Sequence, residues 1–366
     1  MKTPFLLAPM AELSHRALRE LIEGFGGCDG YYTEMISAAA LLAGGPFEKW
    51  YIDNGPCPEK LVFQLIGADS GQISRAAAIL DRLECVGIDL NMGCCAPLIR
   101  KTGAGIAWMS SPSQEGAVDR AGELVKQVRK TVKRRLSAKI RLGLTDDFEY
   151  LVRFCRRLEA EGLEFIVLHP RTAREKLKRR ARWDYVGALR QELRIPVAGN
   201  GDISSAEELL SRAESPCDGV MVGRAAVCQP WIFAEAKKMV TVTVPTIPET
   251  QSQKCMPRDG NGGWRRQECR ASTVLWPRQQ VGDDGTPDKF LEHTFLEETG
   301  LRFLELLARW QPPEFHISRA RRFFGFFCDN LKWGTYLKNL LNREETLSGM
   351  ERVWRNFFTD PQRSQS

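Results

Sequence analysis

The feature that most constrains this chain is a repeat of short, β-rich apolar runs, most of them followed by a segment of helical length. Eight such runs occur: Phe5-Ala8, Tyr31-Thr33, Leu61-Leu65, Val86-Leu90, Ala138-Arg141, Phe165-Leu168, Ile195-Ala198 and Gly219-Val222. Amphipathic or charged stretches between them, Ser70 to Leu83, Ser113 to Val132, Asp147 to Glu161 and Ser204 to Ala213, have the spacing of crossover helices. Strands joined through helices pair in parallel, because a hairpin cannot connect them. Eight units ending near residue 235 match the size of an α/β fold of the (β/α)8 TIM barrel type. A doubly wound open sheet is the rival.

A barrel of this kind gathers its chemistry on the carboxyl-terminal rim of its strands. Here the runs end in or near Pro9-Met10, Glu34, Gln64, Asn91-Met92-Gly93-Cys94, Lys139 and Arg141, His169, Asn200-Gly201-Asp202, and Gly223-Arg224. Polar loops are ordinary in α/β proteins. The concentration of Asn, Cys, Lys, Arg and His at these particular places is not.

The 366 residues exceed one average domain, so a second unit is expected. We divide the chain into a barrel at 1-240, an insertion or flexible linker at 241-289, and a helical unit at 290-366. The middle segment loses all periodicity and is rich in Pro, Gly, Gln and Arg. Helical patterning returns at Leu291-Trp310, Ile317-Lys332 and Thr335-Phe358. Within it Arg319, Arg321 and Arg322 lie beside Phe323, Phe324, Phe326 and Phe327. That mixture suits nucleic acid, through phosphate contacts and stacking, but spacing alone favours an ordinary amphipathic helix with Phe inside and Arg outside.

Composition closes off other classes. With 43% hydrophobic and 27% charged residues, a disordered or coiled-coil chain is excluded. The longest uncharged apolar stretches, such as Met35 to Phe47, fall short of the ~18 to 20 residues that cross a bilayer, so no membrane partner is expected. No signal-peptide layout follows Met1-Lys2, which makes the cytoplasm the default. The 11 cysteines are odd in number and scattered, no C-x-x-C occurs, and the 4 histidines lie far apart. Reduced thiols and no metal are the expectation. A net charge of +6 leans toward anionic partners. The oligomeric state is left open, with a monomer as the simplest case.

Two Gly-rich turns, Gly199-Asn200-Gly201-Asp202 and Gly223-Arg224, fall after the seventh and eighth runs, where barrels of this type bind phosphate through backbone N–H groups. Arg224 would add a charge-assisted bond. Gln64, Lys139 and His169 would face the barrel mouth. Lys139 fits the cation that stabilises a reduced flavin ring, or else is a salt-bridged lysine inside the barrel. His169 is a site residue, or a structural histidine bonded to a loop carbonyl. Cys94 is a nucleophile, a general acid or buried filler; with no histidine partner in sight, a papain-like nucleophile has little support.

Taken together, Ala8-Pro9-Met10-Ala11, Thr33-Glu34-Met35, Gln64-Leu65-Ile66-Gly67, Asp89-Leu90-Asn91-Met92-Gly93-Cys94, Lys139-Ile140-Arg141-Leu142-Gly143, His169-Pro170-Arg171-Thr172, Gly199-Asn200-Gly201-Asp202-Ile203 and Val222-Gly223-Arg224-Ala225-Ala226 resemble the motifs of the tRNA-dihydrouridine synthases. The resemblance implies FMN as cofactor, NADPH as reductant and a uridine of tRNA as substrate, with hydride delivered to C6 and a proton from Cys94 to C5. It implies flavin contacts from Pro9, Met10, Ala11, Gln64, Lys139, His169, Asn200, Gly201, Asp202, Gly223 and Arg224. Asn91 and Arg141 would meet the uracil, and Arg174 and Lys176, in the basic run Arg174 to Arg182, the RNA backbone. The helical unit would bind tRNA. The sequence departs from the family at Cys95, which stands where proline is usual and leaves two thiols as candidate donors. It also departs at Pro97, where lysine is common, and at Ser14-His15 in place of Thr-Asp. Two rivals remain: a flavin barrel acting on free pyrimidines, and an RNA-binding barrel without catalysis.

Overall fold

The computed structural model describes residues 3–110, 114–242 and 289–359. The expected insertion at 241-289 therefore lies almost wholly outside the described residues. All eight expected strands form: β1 (Phe5–Leu7), β2 (Gly30–Ser37), β3 (Leu61–Ile66), β4 (Gly87–Met92), β5 (Arg135–Arg141), β6 (Phe165–His169), β7 (Val197–Asn200) and β8 (Val220–Val222). They pair in parallel in chain order, and the ring closes where Phe5, Leu6 and Leu7 of β1 meet Val220, Met221 and Val222 of β8. Closure decides for the barrel over the open sheet.

Two apolar cores follow from the period of two along each strand. Leu6, Tyr32, Val62, Phe165, Val167, Ala198 and Met221 plug the barrel interior. Their strand neighbours, such as Phe5, Leu7, Tyr31, Phe63 and Ile166, face outward into the packing with the helices. The crossover helices start where side-chain oxygens satisfy free backbone N–H groups. Asp69 caps Ser70–Leu80, Asp147 caps Phe148–Ala160, and Ser205 caps Ala206–Ala213.

The same alternation stacks polar groups above the plug. Ser137, Lys139 and Arg141 recur at every second position of β5, as do Asp89 and Asn91 in β4 and Val167 and His169 in β6. In β2 the register shifts between Tyr32 and Met35. A bulge re-aims the residues that follow it, and here Met35 reaches the mouth.

The tail comprises Lys289–Trp310, Pro313–Phe327, Gly334–Leu341 and Leu347–Thr359. The third expected helix is thus two, because Thr346 breaks it: its Oγ1 accepts from the N–H of Gly349 at 3.0 Å and starts a new helix. The phenylalanines of the second tail helix are mostly interior, Phe303 stacking on Phe323 with ring centres 3.7 Å apart, and Phe323, Phe324 and Phe327 are buried. The amphipathic-helix reading holds for them, and they offer no stacking surface. Among the described residues the tail shares the core of the barrel. Phe295 packs between Phe25 and Trp231 of the barrel at centroid distances of 5.6 and 4.9 Å, within one continuous cluster of buried residues.

Tail and barrel are also tied by a buried ion pair. Arg319 is 2% exposed and Glu34 4%, and their side chains meet at 2.9 Å. The other Glu34 oxygen accepts from the N–H of Glu12 at 2.6 Å, fixing the β1 loop at a residue with φ +64. Burial pushes the Glu34 carboxyl up while Arg319 pulls it back toward the ionised form. Among the described residues, no helix is long and apolar enough to cross a membrane.

Candidate active site at the barrel mouth

Two adjoining cavities open at the carboxyl-terminal rim, of about 730 and 510 Å³. Pro9, Lys139, Arg141, His169 and Leu177 line both, so they form the boundary between them. The larger cavity takes in Met10, Asn200, Gly201, Asp202, Gly223 and Arg224, and its lining also includes Cys228 of the barrel with Phe326 and Asp329 of the tail. The smaller takes in Ala11, Met35, Asn91, Cys94, Cys95 and Lys176. Ala11, expected with the cofactor contacts, thus belongs to the thiol cavity.

Gln64 and Arg174 line neither cavity. Arg174 is exposed on the loop after β6. Gln64 is fully buried one layer below the mouth, where its Nε2 donates to Asp89 Oδ2 at 2.7 Å and its Oε1 accepts from Asn91 Nδ2 at 2.8 Å. The other Asp89 oxygen accepts from Ser137 Oγ at 2.7 Å. Asn91 Oδ1 in turn accepts from the N–H of Cys94 at 2.9 Å and of Gly93 at 3.3 Å. A chain of bonds from a buried carboxylate therefore ends on the backbone of the thiol residue. The Cys94 carbonyl is held as well, by the N–H of Ile106 at 2.9 Å. Gly105 lies at φ +62 with an added Cβ only 2.6 Å from that carbonyl, so the loop closes only over glycine.

Burial pushes the Cys94 thiol above the ordinary cysteine value, although nearby Arg141 and Lys139 pull the other way. At neutral pH the group is a thiol able to donate a proton, and the thiolate left behind would face two cations. Cys95 shares the cavity, but its backbone N–H has no such bond to Asn91.

The opposite side of the mouth is cationic. Lys139 Nζ donates to Asn200 Oδ1 at 3.0 Å, and among the described residues no carboxylate lies within ion-pair distance of it. Among the described residues, then, Lys139 is not the salt-bridged lysine of the alternative reading. Burial, helped by Arg141, lowers its pKa to about 8. His169 is pushed well below its usual value by burial and by Lys139, Arg141, Arg171 and Arg224. Its Nε2 lies 3.0 Å from Arg171 Nη1, which can only donate, so the neutral ring carries its proton on Nδ1. The partner of His169 is thus an arginine rather than a loop carbonyl.

Two residues expected to contact ligands are engaged in holding the β6 loop. Arg141 Nη1 donates to the carbonyl of Lys176 at 3.1 Å. Asp202 accepts from Arg171 and, at 2.6 Å, from the N–H of Ala181. Sequence reading gives Arg171, Asp89 and Glu34 no role, and offers Arg319 as an RNA contact or a solvated face, whereas it is buried against Glu34. Asp89 was findable, since it lies two residues before Asn91 on the inward face of a strand. Arg224 is exposed at the rim, and its guanidinium makes no hydrogen bond or ion pair among the described residues.

The donor set fits a planar anionic group carrying a phosphate. Four cations converge on the larger cavity, the carboxylates lining it among the described residues are Asp202, Glu208 and Asp329, and Arg171 already engages the first of these. Gly201, at φ +123, packs so closely on Ala181 and His169 that an added Cβ would lie 3.0 to 3.2 Å from them, whereas around Gly223 no atom comes nearer than 3.7 Å to an added Cβ. No cluster of three or more His, Cys, Asp or Glu side chains suited to a metal occurs among the described residues.

A family model described as Dihydrouridine synthase (Dus) matches residues 6–257. The chain is 34% identical over 250 residues to a probable tRNA-dihydrouridine synthase of Aquifex aeolicus (strain VF5), covering 66% of this chain and 75% of that protein. It is 32% identical over 237 residues to a tRNA-dihydrouridine(16) synthase of Ralstonia nicotianae (strain ATCC BAA-1114 / GMI1000), covering 62% and 70%. To a probable tRNA-dihydrouridine synthase of Mycobacterium tuberculosis (strain CDC 1551 / Oshkosh) it is 31% identical over 261 residues, covering 68% and 66%.

Proposed function

The chain belongs to the dihydrouridine synthase family, and from that premise we propose that it reduces the C5–C6 double bond of a uridine in tRNA to 5,6-dihydrouridine, with FMN as cofactor and NADPH as reductant. The observation that carries the reading is the pair of joined cavities, with cations lining one and a protonated thiol held in the other. Lys139, Asn200 and His169 would hold the ring system, and Arg224 with the backbones of Gly201 and Gly223 its phosphate. When bound, FMN supplies the hydride that uracil C6 receives.

The residues of the chain do the rest. Pro9 and Met35 wall the smaller cavity and keep water from the pyrimidine. Cys94 delivers its proton to C5, from a loop whose position Asn91, Gln64 and Asp89 set. The resulting thiolate is stabilised by Lys139 and Arg141. Arg141 acts through the β6 loop rather than on the uracil alone.

The test is to purify the protein, release and identify its flavin, and incubate the loaded protein with NADPH and tRNA from cells lacking dihydrouridine. Yellow protein and dihydrouridine at a defined tRNA position are expected. Reduction of free uracil but not tRNA would move the reading to a pyrimidine dehydrogenase, and a colourless, inactive protein would end it.

A further inference from the structure

Few large apolar side chains are exposed among the described residues, and Leu177 differs from the others in position. It is 48% exposed, and it lines both cavities. Its neighbours Lys176, Lys178, Arg179 and Arg180 are all exposed cations. A leucine placed in water at the tip of a basic loop gains nothing from folding.

The loop is nevertheless built to hold it there. Arg141, nearly buried, bonds the carbonyl of Lys176, a residue at φ +51. Arg171, also buried, bonds the carbonyl of Arg179, and Asp202 takes the N–H of Ala181. Glu175 accepts from the N–H of Thr172 at 2.8 Å and pairs with Arg182. Both flanks of the tip are thus pinned by charged groups of the mouth, and Leu177 projects at the boundary between the two cavities.

The substrate explains what an apolar tip is for. This step rests on the reading that the substrate is a uridine in RNA. A uridine stacked in folded RNA must leave its neighbours to bring C5 to Cys94. Extrusion exposes the faces of the flanking bases, which an apolar side chain covers, while cations around it hold the phosphates. We propose that Leu177 is a positioning residue that packs against the bases flanking the extruded uridine and keeps the target base out of its stack.

The experiment uses the full chain and tRNA carrying 2-aminopurine beside the target uridine, with variants L177A, L177M and K178A/R179A. I79A serves as control, Ile79 being exposed on the barrel flank. Wild-type binding should raise the 2-aminopurine fluorescence. L177A should bind tRNA with unchanged salt dependence, lose most of that rise, and reduce the uridine about tenfold more slowly, the loss of roughly one apolar contact. L177M, which keeps the volume, should restore both. K178A/R179A should weaken binding and flatten its salt dependence by about two charges while keeping the fluorescence rise of the bound complex. An L177A protein equal to I79A in fluorescence and rate overturns the proposal. A wild-type protein that reduces no tRNA uridine overturns the functional reading, and this one with it.

Discussion

The thiol side of the mouth, from β3 and β4, is held by neutral amides leading back to one buried carboxylate, whereas the side formed by β5 to β8 is held by ammonium and guanidinium groups. Asp89, its pKa raised by burial to about 6, never touches either cavity; its two oxygens take Gln64 and Ser137, and its influence reaches Cys94 only through hydrogen bonds. Lys139, its pKa lowered to about 8, lies between both cavities with one hydrogen bond. The difference separates two tasks. A proton donor needs a fixed place and a neutral form, which amides supply; an anionic group needs net positive charge left uncompensated, which the cationic half supplies.

The contrast can be broken most sharply at the thiols. Cys94→Ala should lower the rate of tRNA reduction by about 10³-fold, the range of a lost general acid, and Cys95→Ala by no more than about threefold. Single-turnover reduction of both variants decides it, and the opposite pattern would detach proton donation from the Asn91 clamp.

A smaller loss, about 10²-fold, is expected for Lys139→Met, measured as the rate at saturating tRNA. The pH dependence has a definite sign. The ammonium is present below about 8 and lost above it, so wild-type rates should fall as pH rises through that value, and Lys139→Arg should abolish the fall. Because the folded pKa lies below that of the unfolded chain, Lys139 should also make the wild type gain stability relative to Lys139→Met as pH rises from about 8 toward the ordinary lysine range. Thermal unfolding of both proteins at neutral and alkaline pH checks this.

The smallest effect belongs to the linkage. Gln64→Leu cuts the chain between Asp89 and Asn91 without touching a cavity, so flavin content should stay the same while the rate drops about tenfold through a loosened Cys94 loop. Loss of flavin instead would return Gln64 to the cofactor contacts that the motif implied.

Much of this was legible in the sequence, for reasons that differ by element. Strands β1 to β8 were readable because each is a short apolar run ended by glycine or polar residues, and the motifs at their ends fell where the mouth lies. Closure of β1 on β8 left no local pattern of its own, and the barrel was readable only from the size of the repeat and the polar residues gathered at its strand ends. The placement of Lys139, Asn200 and Cys94 in one mouth followed from strand ends, but Asn91, Arg141 and Asp202 turned out to be occupied by other parts of the protein. Hydrogen bonds between distant loops leave no periodic trace. The same holds for Arg319, which looked like an RNA contact or a solvated face and is instead buried against a strand from the opposite end of the chain.

That ion pair constrains how the chain can change over generations. Glu34 and Arg319 are both almost fully buried, so replacing either alone leaves a buried charge without its main partner, at a cost of about 3–5 kcal/mol. Drift at the two sites must therefore be concerted, and a chimera that takes its tail from a relative should fold only when the acquired helix brings a cation to that depth or the barrel surrenders its glutamate.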